Sequence, residues 1–136
     1  ASGNGNLAAS QFTWTYDGTK PTMTITSTTV NSGDTSNDST INLTFTSSEA
    51  TSNFVVGDIT VSAGTLSSFS GSGTTYTATL GNTGETTNTI SVAGGKYTDG
   101  VGNTNSVSNT FTWTYDGSAQ SLVNVSITSS NANTAS

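Results

Sequence analysis

The sequence contains no cysteine and no histidine, and Lys20 and Lys96 are its only basic residues. These absences exclude disulfides, a thiol nucleophile, a histidine-dependent catalytic triad, and zinc or haem sites with His or Cys ligands. Nucleic acids and anionic membranes are bound through clustered cations, so a chain of net charge -6 is not expected to bind either. No apolar run approaches the roughly 20 residues that a membrane-spanning helix needs, so no membrane insertion is expected.

Charged residues are also scarce, at 7%, and hydrophobic residues make up only 30% of the 136 residues. Disorder usually combines low hydrophobicity with high charge, whereas the polar residues here are mostly uncharged Thr, Ser, Asn and Gly. Branched threonine packs well on a pleated sheet, and 15 glycines with a single proline allow many tight turns. The composition therefore predicts one all-β domain, and its low charge and few lysines favour a secreted protein that is extracellular or on the cell surface.

Apolar and polar residues alternate along several short segments, as is typical of half-buried strands. Strands are predicted at residues 22–27, 40–46, 59–61, 74–80, 90–92 and 110–115, with a further short segment at 66–69 and an extra strand at 11–16 that precedes the domain. Residues 31–39 are predicted to form a polar turn. The spacing predicts an immunoglobulin-like antiparallel β-sandwich of about seven strands, with a seven-stranded barrel as the alternative. The residues expected in its core are Trp113, Phe45, Tyr76, Leu43 and Ile90.

An internal repeat divides the chain. The heptapeptide FTWTYDG occurs at residues 12–18 and again at residues 111–117, and Met23 and Ile25 after the first copy correspond to Val125 and Ile127 after the second. A repeat at domain length indicates tandem domains rather than a solenoid. We therefore predict a complete sandwich domain at 19–117 with an extra strand-like segment at each end. Residues 1–18 resemble the closing strand of a preceding repeat, and residues 118–136 resemble the opening strand of a following one.

Several of these segments together resemble a known family. They are LTFTSSEA (43–50), FVVGDITVSAGTLSSFSGSGTTYTATL (54–80), VAGGKYTDGVGNTN (92–105) and the closing FTWTYDG. The chain is similar over nearly all of residues 11–117 to the bacterial Ig-like repeats of large surface adhesins and biofilm proteins. The segment Asp17–Pro21 also matches the acidic linker of that family, whereas the second junction at 116–120 lacks the proline. The resemblance implies a stalk or adhesive module that is repeated in tandem. The short loops and the lack of a local motif for paired carboxylates favour a non-enzymatic protein.

The few acidic residues suggest a metal site. Asp17 and Asp116 lie at the two junctions, Glu49 follows a predicted strand, and Asp99 and Asn103 lie in the loop TDGVGN. Strand ends converge at the poles of a sandwich, and calcium takes six to eight oxygen ligands. A calcium site formed by these residues is therefore one interpretation, and the resemblance implies calcium at such junctions. Ordinary turn formation by the Asp-Gly pairs is the other interpretation.

Three hypotheses for function follow. The first is a non-enzymatic extracellular stalk or spacer in a repeat adhesin or surface filament. The second is a self-assembling filament subunit that polymerises by strand addition or exchange through residues 11–16 and/or 122–128, with copies of itself or adjacent Ig-like repeats as partners. Its contact residues would be Phe12, Trp14, Tyr16, Val125 and Ile127. The third is a carbohydrate-binding domain with ligand contacts on the polar loops, or an ice-binding domain. The T-x-T pairs suggest ice binding, although alternating threonine is also typical of the solvent face of a sheet.

Overall fold

The computed structural model describes residues 12–118, which form seven β-strands in two sheets. The strands are β1 (Met23–Ser27), β2 (Asp34–Ser36), β3 (Thr40–Thr51), β4 (Ile59–Val61), β5 (Thr65–Gly81), β6 (Thr87–Val92) and β7 (Phe111–Tyr115), and a single 3-10 turn at Val56–Asp58 precedes β4. The structure therefore confirms the predicted sandwich and not the alternative seven-stranded barrel. Within the described residues, no helix has the length and apolar character needed to cross a membrane.

The two sheets differ in the direction of their strands. One sheet has the order β1-β3-β5 and is antiparallel. The other has the order β2-β7-β6-β4, and in it β2 runs parallel to β7 while β6 is antiparallel to both of its neighbours. Consecutive strands β1 and β2 therefore lie in different sheets. Because β2 and β7 run in the same direction, the chain enters the sandwich at one pole and leaves it at the other.

The strand β2 falls inside the segment that the sequence predicts as a polar turn. Its three residues carry no apolar alternation, and backbone contacts with β7 hold them in place. The Gly33 N–H donates to the Thr112 carbonyl at 2.8 Å, and the Asp116 N–H donates to the Ser36 carbonyl at 2.8 Å. The polar-turn prediction for residues 31–39 is therefore wrong at β2, because a backbone-paired edge strand needs no hydrophobic pattern.

The strand β3 continues to Thr51, past the predicted end at residue 46. The side chain of Ser47 points inward and is buried, and its hydroxyl lies 3.0 Å from the hydroxyl of Tyr97. A polar residue thus occupies a core-facing position. The alternation of apolar residues therefore stops before the strand does, and the sequence pattern does not predict the end of β3. A register shift follows between Thr46 and Thr51, so the end of β3 is bulged.

The core confirms the predicted set. Trp113, Phe45, Tyr76, Leu43 and Ile90 are all buried. Further buried aromatic residues were not predicted: Phe54 packs against Phe45, Phe69, Tyr76 and Tyr97, with ring centroids 5.1–5.9 Å apart. Tyr97 is fully buried although it lies in the glycine-rich loop after β6, where no periodicity points inward.

Residues 12–16 form no β-strand, although their alternation predicts one. A strand needs a hydrogen-bonding neighbour, and none of the seven strands of the described chain pairs with this segment. Its aromatic residues Phe12, Trp14 and Tyr16 are exposed. The matching C-terminal segment at 122–128, with Val125 and Ile127, lies outside the described residues.

Threonines cover the outer face of the sheet β1-β3-β5. Paired registers align them across the three strands in two rows, Thr26–Thr44–Thr77 and Thr24–Thr46–Thr75. Their alternation with the buried residues of the same strands gives the polar outer face of a two-layer sandwich.

Candidate metal centre

The loop between β6 and β7 is built around the side chain of Asn105, which is buried. Its Oδ1 accepts hydrogen bonds from the backbone N–H groups of Lys96 at 2.7 Å and Tyr97 at 2.9 Å. Its Nδ2 donates to the carbonyls of Ala93 and Ser106, both at 2.9 Å. One side chain therefore fixes the shape of the loop that carries the first carboxylate of the site. No sequence signal marks Asn105, because a buried polar residue in a loop follows no periodicity.

Asp99 is a buried carboxylate in a dense set of hydrogen bonds. Its Oδ1 accepts from the backbone N–H groups of Val101 and Asn103, both at 2.9 Å, and its Oδ2 accepts from Nδ2 of Asn103 at 2.9 Å. Desolvation by burial acts to raise the pKa of Asp99, but these hydrogen bonds, with a contribution from the backbone of Gly102, outweigh it and lower the pKa. Asp99 is therefore an ionised group at neutral pH.

Asp17 reaches this loop from the N-terminal linker. Nδ2 of Asn103 donates to the Asp17 carbonyl at 2.7 Å, which ties the linker to the loop. Oδ1 of Asp17 accepts from the backbone N–H of Thr19 at 3.0 Å, so the side chain is held in a local turn. Asn103 thus turns its amide nitrogen toward both acidic residues. This nitrogen positions the two residues, and the role of Asn103 as an oxygen ligand stays a prediction.

Glu49 completes the cluster from the bulged end of β3, where the Ser47 hydroxyl donates to the Glu49 carbonyl at 2.7 Å. One carboxylate oxygen each from Asp17, Glu49 and Asp99 lies within 4.8 Å of the other two. The Oε2 atom of Glu49 is buried and has no hydrogen-bond partner. A buried acceptor without a hydrogen-bond partner is costly, and a bound cation would satisfy this oxygen.

The electrostatics of the cluster are unfavourable for the protein alone. Desolvation raises the pKa of Glu49, and the negative charges of Asp17 and Asp99 raise it further. Convergent carboxylate oxygens from separate parts of the chain form a donor set that suits a hard divalent cation such as calcium. We name Asp17, Glu49 and Asp99 the carboxylate cluster.

The structure does not bring Asp116 to the carboxylate cluster. Asp116 follows β7 and lies beside Ser36, at the pole opposite to the loop that carries Asp99. There its Oδ1 accepts from the backbone N–H of Ser118 at 3.1 Å, while the Ser118 hydroxyl donates to Glu85 at 2.7 Å. Asp116 is therefore a turn former in the structure, as the alternative interpretation of the Asp-Gly pairs expects.

Two of the residues expected to mediate assembly, Trp14 and Tyr16, lie on the surface next to the cluster. Trp14 and Tyr16 line a groove together with Asp17, Val101 and Asn103. The rings of Trp14 and Tyr16 are tilted against each other, with centroids 6.1 Å apart. Both rings remain exposed in this arrangement, so the groove does not bury them.

Comparison with known proteins gives one match. A family model described as a bacterial Ig-like domain matches residues 17–115, a range that begins at the first residue of the carboxylate cluster and ends with β7. No curated protein and no solved structure matches the chain. Domains of the matched description are generally non-catalytic modules and are typical of surface and secreted proteins.

Proposed function

This chain belongs to the bacterial Ig-like domain family, and we propose that it is a non-enzymatic extracellular structural module, a stalk or spacer in a repeat adhesin or surface filament. One observation carries the proposal: the two junctions lie at opposite poles of the sandwich. Asp17 adjoins the loop after β6, and Asp116 follows the far end of β7. A domain with its two ends at opposite poles holds the units attached to those ends apart by its own length, which is what a spacer does.

The spacer role is tested by joining one, two and four copies of residues 19–117 in tandem and measuring the maximum dimension by small-angle X-ray scattering. We expect a constant increase for each added unit. A matched series with a glycine-serine insert at every junction should be shorter on average, because the units then reorient freely. Units that pack side by side, so that the maximum dimension hardly grows, would contradict the proposal.

We further propose that the carboxylate cluster binds calcium and stiffens the N-terminal junction. The supporting observation is the buried Oε2 of Glu49, which lacks a partner beside two other carboxylates. A cation bound there would join the linker to the end of β3 and to the loop after β6, which are separate parts of the chain. It would also offset the repulsion that raises the pKa of Glu49.

Thermal unfolding with calcium, with magnesium and with chelator tests this site. Calcium should raise the melting temperature in a saturable manner, because a ligand of the folded state stabilises it. Asp17→Asn should remove the effect, whereas Asp116→Asn changes the same Asp-Gly motif at the other pole and should retain it. Identical melting curves with calcium and with chelator would exclude the site.

A filament subunit is a second candidate function, because Phe12, Trp14 and Tyr16 leave a large apolar surface in water. Association through residues 11–16 would bury this surface. Deleting residues 1–16 spares Asp17 and should leave the domain folded while abolishing self-association, measured by analytical ultracentrifugation in chelator. Equal association of the full and shortened chains would exclude these residues as the contact.

A further inference from the structure

The chain contains three Asp-Gly pairs, at residues 17–18, 99–100 and 116–117. Each aspartate begins the same local turn, in which its Oδ1 accepts a hydrogen bond from the N–H two residues later, at 3.0 Å for Asp17, 2.9 Å for Asp99 and 3.1 Å for Asp116. Glycine has no Cβ to shield its backbone nitrogen, so the side-chain carboxyl of an Asp-Gly pair can react with the next peptide nitrogen. The three pairs therefore share a reactive sequence and the same local turn.

The three aspartates differ in what else restrains them. Asp99 is buried, and it also accepts hydrogen bonds from the backbone N–H and from Nδ2 of Asn103, both at 2.9 Å. The N–H of Asp99 donates to the Asn103 carbonyl at 3.0 Å, which fixes its backbone. Asp17 is half-buried and Asp116 is exposed, and within residues 12–118 each of these carboxylates accepts from one N–H group. The fold thus restrains Asp99 much more than the other two.

The reaction at an Asp-Gly pair is an isomerisation that leaves the mass unchanged. At residues 17–18, the nitrogen of Gly18 attacks Cγ of Asp17, and the new N–Cγ bond closes a five-membered imide. The amide proton leaves with the carboxyl hydroxyl as water. A water molecule then opens the imide at either carbonyl carbon. Opening at the original main-chain carbon gives isoaspartate, in which the chain runs through Cβ and Cγ and is one carbon atom longer.

Isoaspartate at residue 17 changes both contacts that this residue makes with the carboxylate cluster. The carboxylate that lies with those of Glu49 and Asp99 becomes one neutral amide oxygen. The carbonyl that accepts from Nδ2 of Asn103 becomes the free carboxylate, on a chain that has been lengthened. A single spontaneous reaction therefore removes the third carboxylate of the cluster and alters the hydrogen bond that ties the linker to the loop after β6.

We propose that the Asp-Gly pair at 17–18 is a site of spontaneous isoaspartate formation that releases the N-terminal linker from the carboxylate cluster, and that a cation bound by the cluster prevents the reaction. The part played by the cation rests on the proposed function. A bound cation holds the Asp17 carboxylate in the cluster and keeps its Cγ away from the next peptide nitrogen. The pair at 116–117 lies at the other pole, where this cation does not reach it, and Asn103 restrains Asp99 whether or not a cation is bound.

The first measurement is the rate of the reaction at each pair. The full chain is incubated for weeks in chelator at neutral pH, and peptide mapping with electron-transfer fragmentation distinguishes isoaspartate from aspartate. We expect isoaspartate to form at residues 17 and 116 at least about tenfold faster than at residue 99, because two further hydrogen bonds to the Asp99 carboxylate must break first. In urea the three rates should converge. Isoaspartate that forms in the folded chain as fast at residue 99 as at residue 17 overturns the inference.

The second measurement replaces the chelator with calcium. The reaction should slow several-fold at residue 17 and continue unchanged at residue 116. The melting temperature of the fresh chain, measured in parallel, separates the two proposals. If calcium does not raise it, the calcium site and the protection both fail, while the rates in chelator still decide where the chain is modified. If calcium raises the melting temperature but does not slow the reaction at residue 17, the inference is overturned and the calcium site stands.

Gly18→Ala tests the consequence of the modification. A methyl group at this position hinders closure of the imide, and the ring of Tyr16, which it would meet, is exposed and can turn aside. After incubation in chelator, this variant should keep its calcium-dependent rise in melting temperature. The original chain, and the matched variant Gly117→Ala at the other pole, should lose it in proportion to the isoaspartate at residue 17. An original chain that keeps its full response despite isoaspartate at residue 17 overturns the inference.

Discussion

Trp14 and Trp113 have the same neighbours in sequence, but Trp14 is exposed and Trp113 is buried. Comparing the two residues therefore measures how much burial of a tryptophan contributes to the free energy of unfolding. We expect Trp113→Ala to lower the free energy of unfolding by about 3–5 kcal/mol, as truncation of a buried aromatic residue usually does. Trp14→Ala should change it by less than about 0.5 kcal/mol, as is usual for exposed positions. Urea unfolding of both variants measures the difference. Equal losses would mean that the environments of the two copies are not those described.

Glu49 and Asp99 make stability depend on pH in opposite directions when no metal is bound. The pKa of Glu49 is raised in the folded state, so its contribution is full below the unfolded pKa and is lost as pH rises through the folded pKa. The pKa of Asp99 is lowered, so its contribution is present above the unfolded pKa and is lost as pH falls through the folded pKa.

Glu49→Gln removes the charge of this residue and keeps nearly the same shape, so the variant measures the effect of the charge on stability. At neutral pH in chelator we expect the variant to melt at a higher temperature than the original chain, because it removes a charge that is desolvated and repelled by Asp17 and Asp99. The difference should shrink as the pH falls through the folded pKa of Glu49, and the response to calcium should disappear. Melting curves across pH measure both effects. A lower melting temperature in chelator at neutral pH would contradict the repulsion.

At the scale of the element, the loop after β6 depends on Asn105. Asn105→Ala leaves the N–H groups of Lys96 and Tyr97 without their acceptor, and leaves two carbonyls without their donor. We expect a loss of about 1–3 kcal/mol, the usual cost of unsatisfied buried polar groups. The matched variant Asn103→Ala at the tip of the same loop should mainly weaken the response to calcium, because Asn103 holds Asp99 and Asp17. Denaturant unfolding with chelator and with calcium distinguishes the two; equal effects would contradict these roles.

The strands that the sequence predicts are those whose burial follows an alternation. β1 and β7 are predicted closely because Met23, Ile25, Phe111 and Trp113 point inward at every second position. β2 and the end of β3 are missed because backbone hydrogen bonds and a buried serine hold them. These interactions depend on neighbours that are distant in sequence and leave no periodic signal.

The sequence predicts three members of the carboxylate cluster correctly and one residue, Asp116, incorrectly. Strand ends do converge at a pole, and Asp17, Glu49 and Asp99 meet there. The two Asp-Gly motifs look equivalent in sequence, but one precedes the first strand and the other follows the last. Only the parallel pairing of β2 with β7 shows that Asp116 lies at the other pole.

At the scale of the whole molecule, residues 19–117 are expected to be a self-sufficient unit. This fragment retains all seven strands and the buried core, and it lacks the exposed aromatic residues 12–16 and Asp17. In chelator it should melt within a few degrees of the full chain, and calcium should not raise its melting temperature. Scanning calorimetry of both chains tests this. A large loss of stability in chelator would mean that residues before 19 belong to the folded unit.

The parallel pairing of β2 with β7 also determines how the module meets mechanical tension. Force on the C-terminal junction pulls β7 toward one pole. Force on the N-terminal junction acts first on β1 and, after β1 has detached, pulls β2 toward the other pole. The two strands are then sheared along their common axis, so the hydrogen bonds between them, such as those from Gly33 to Thr112 and from Asp116 to Ser36, share the load together. Strands that unzip break such bonds one at a time. The strand β2, which has three residues and no hydrophobic pattern of its own, therefore bears the load when the module is stretched.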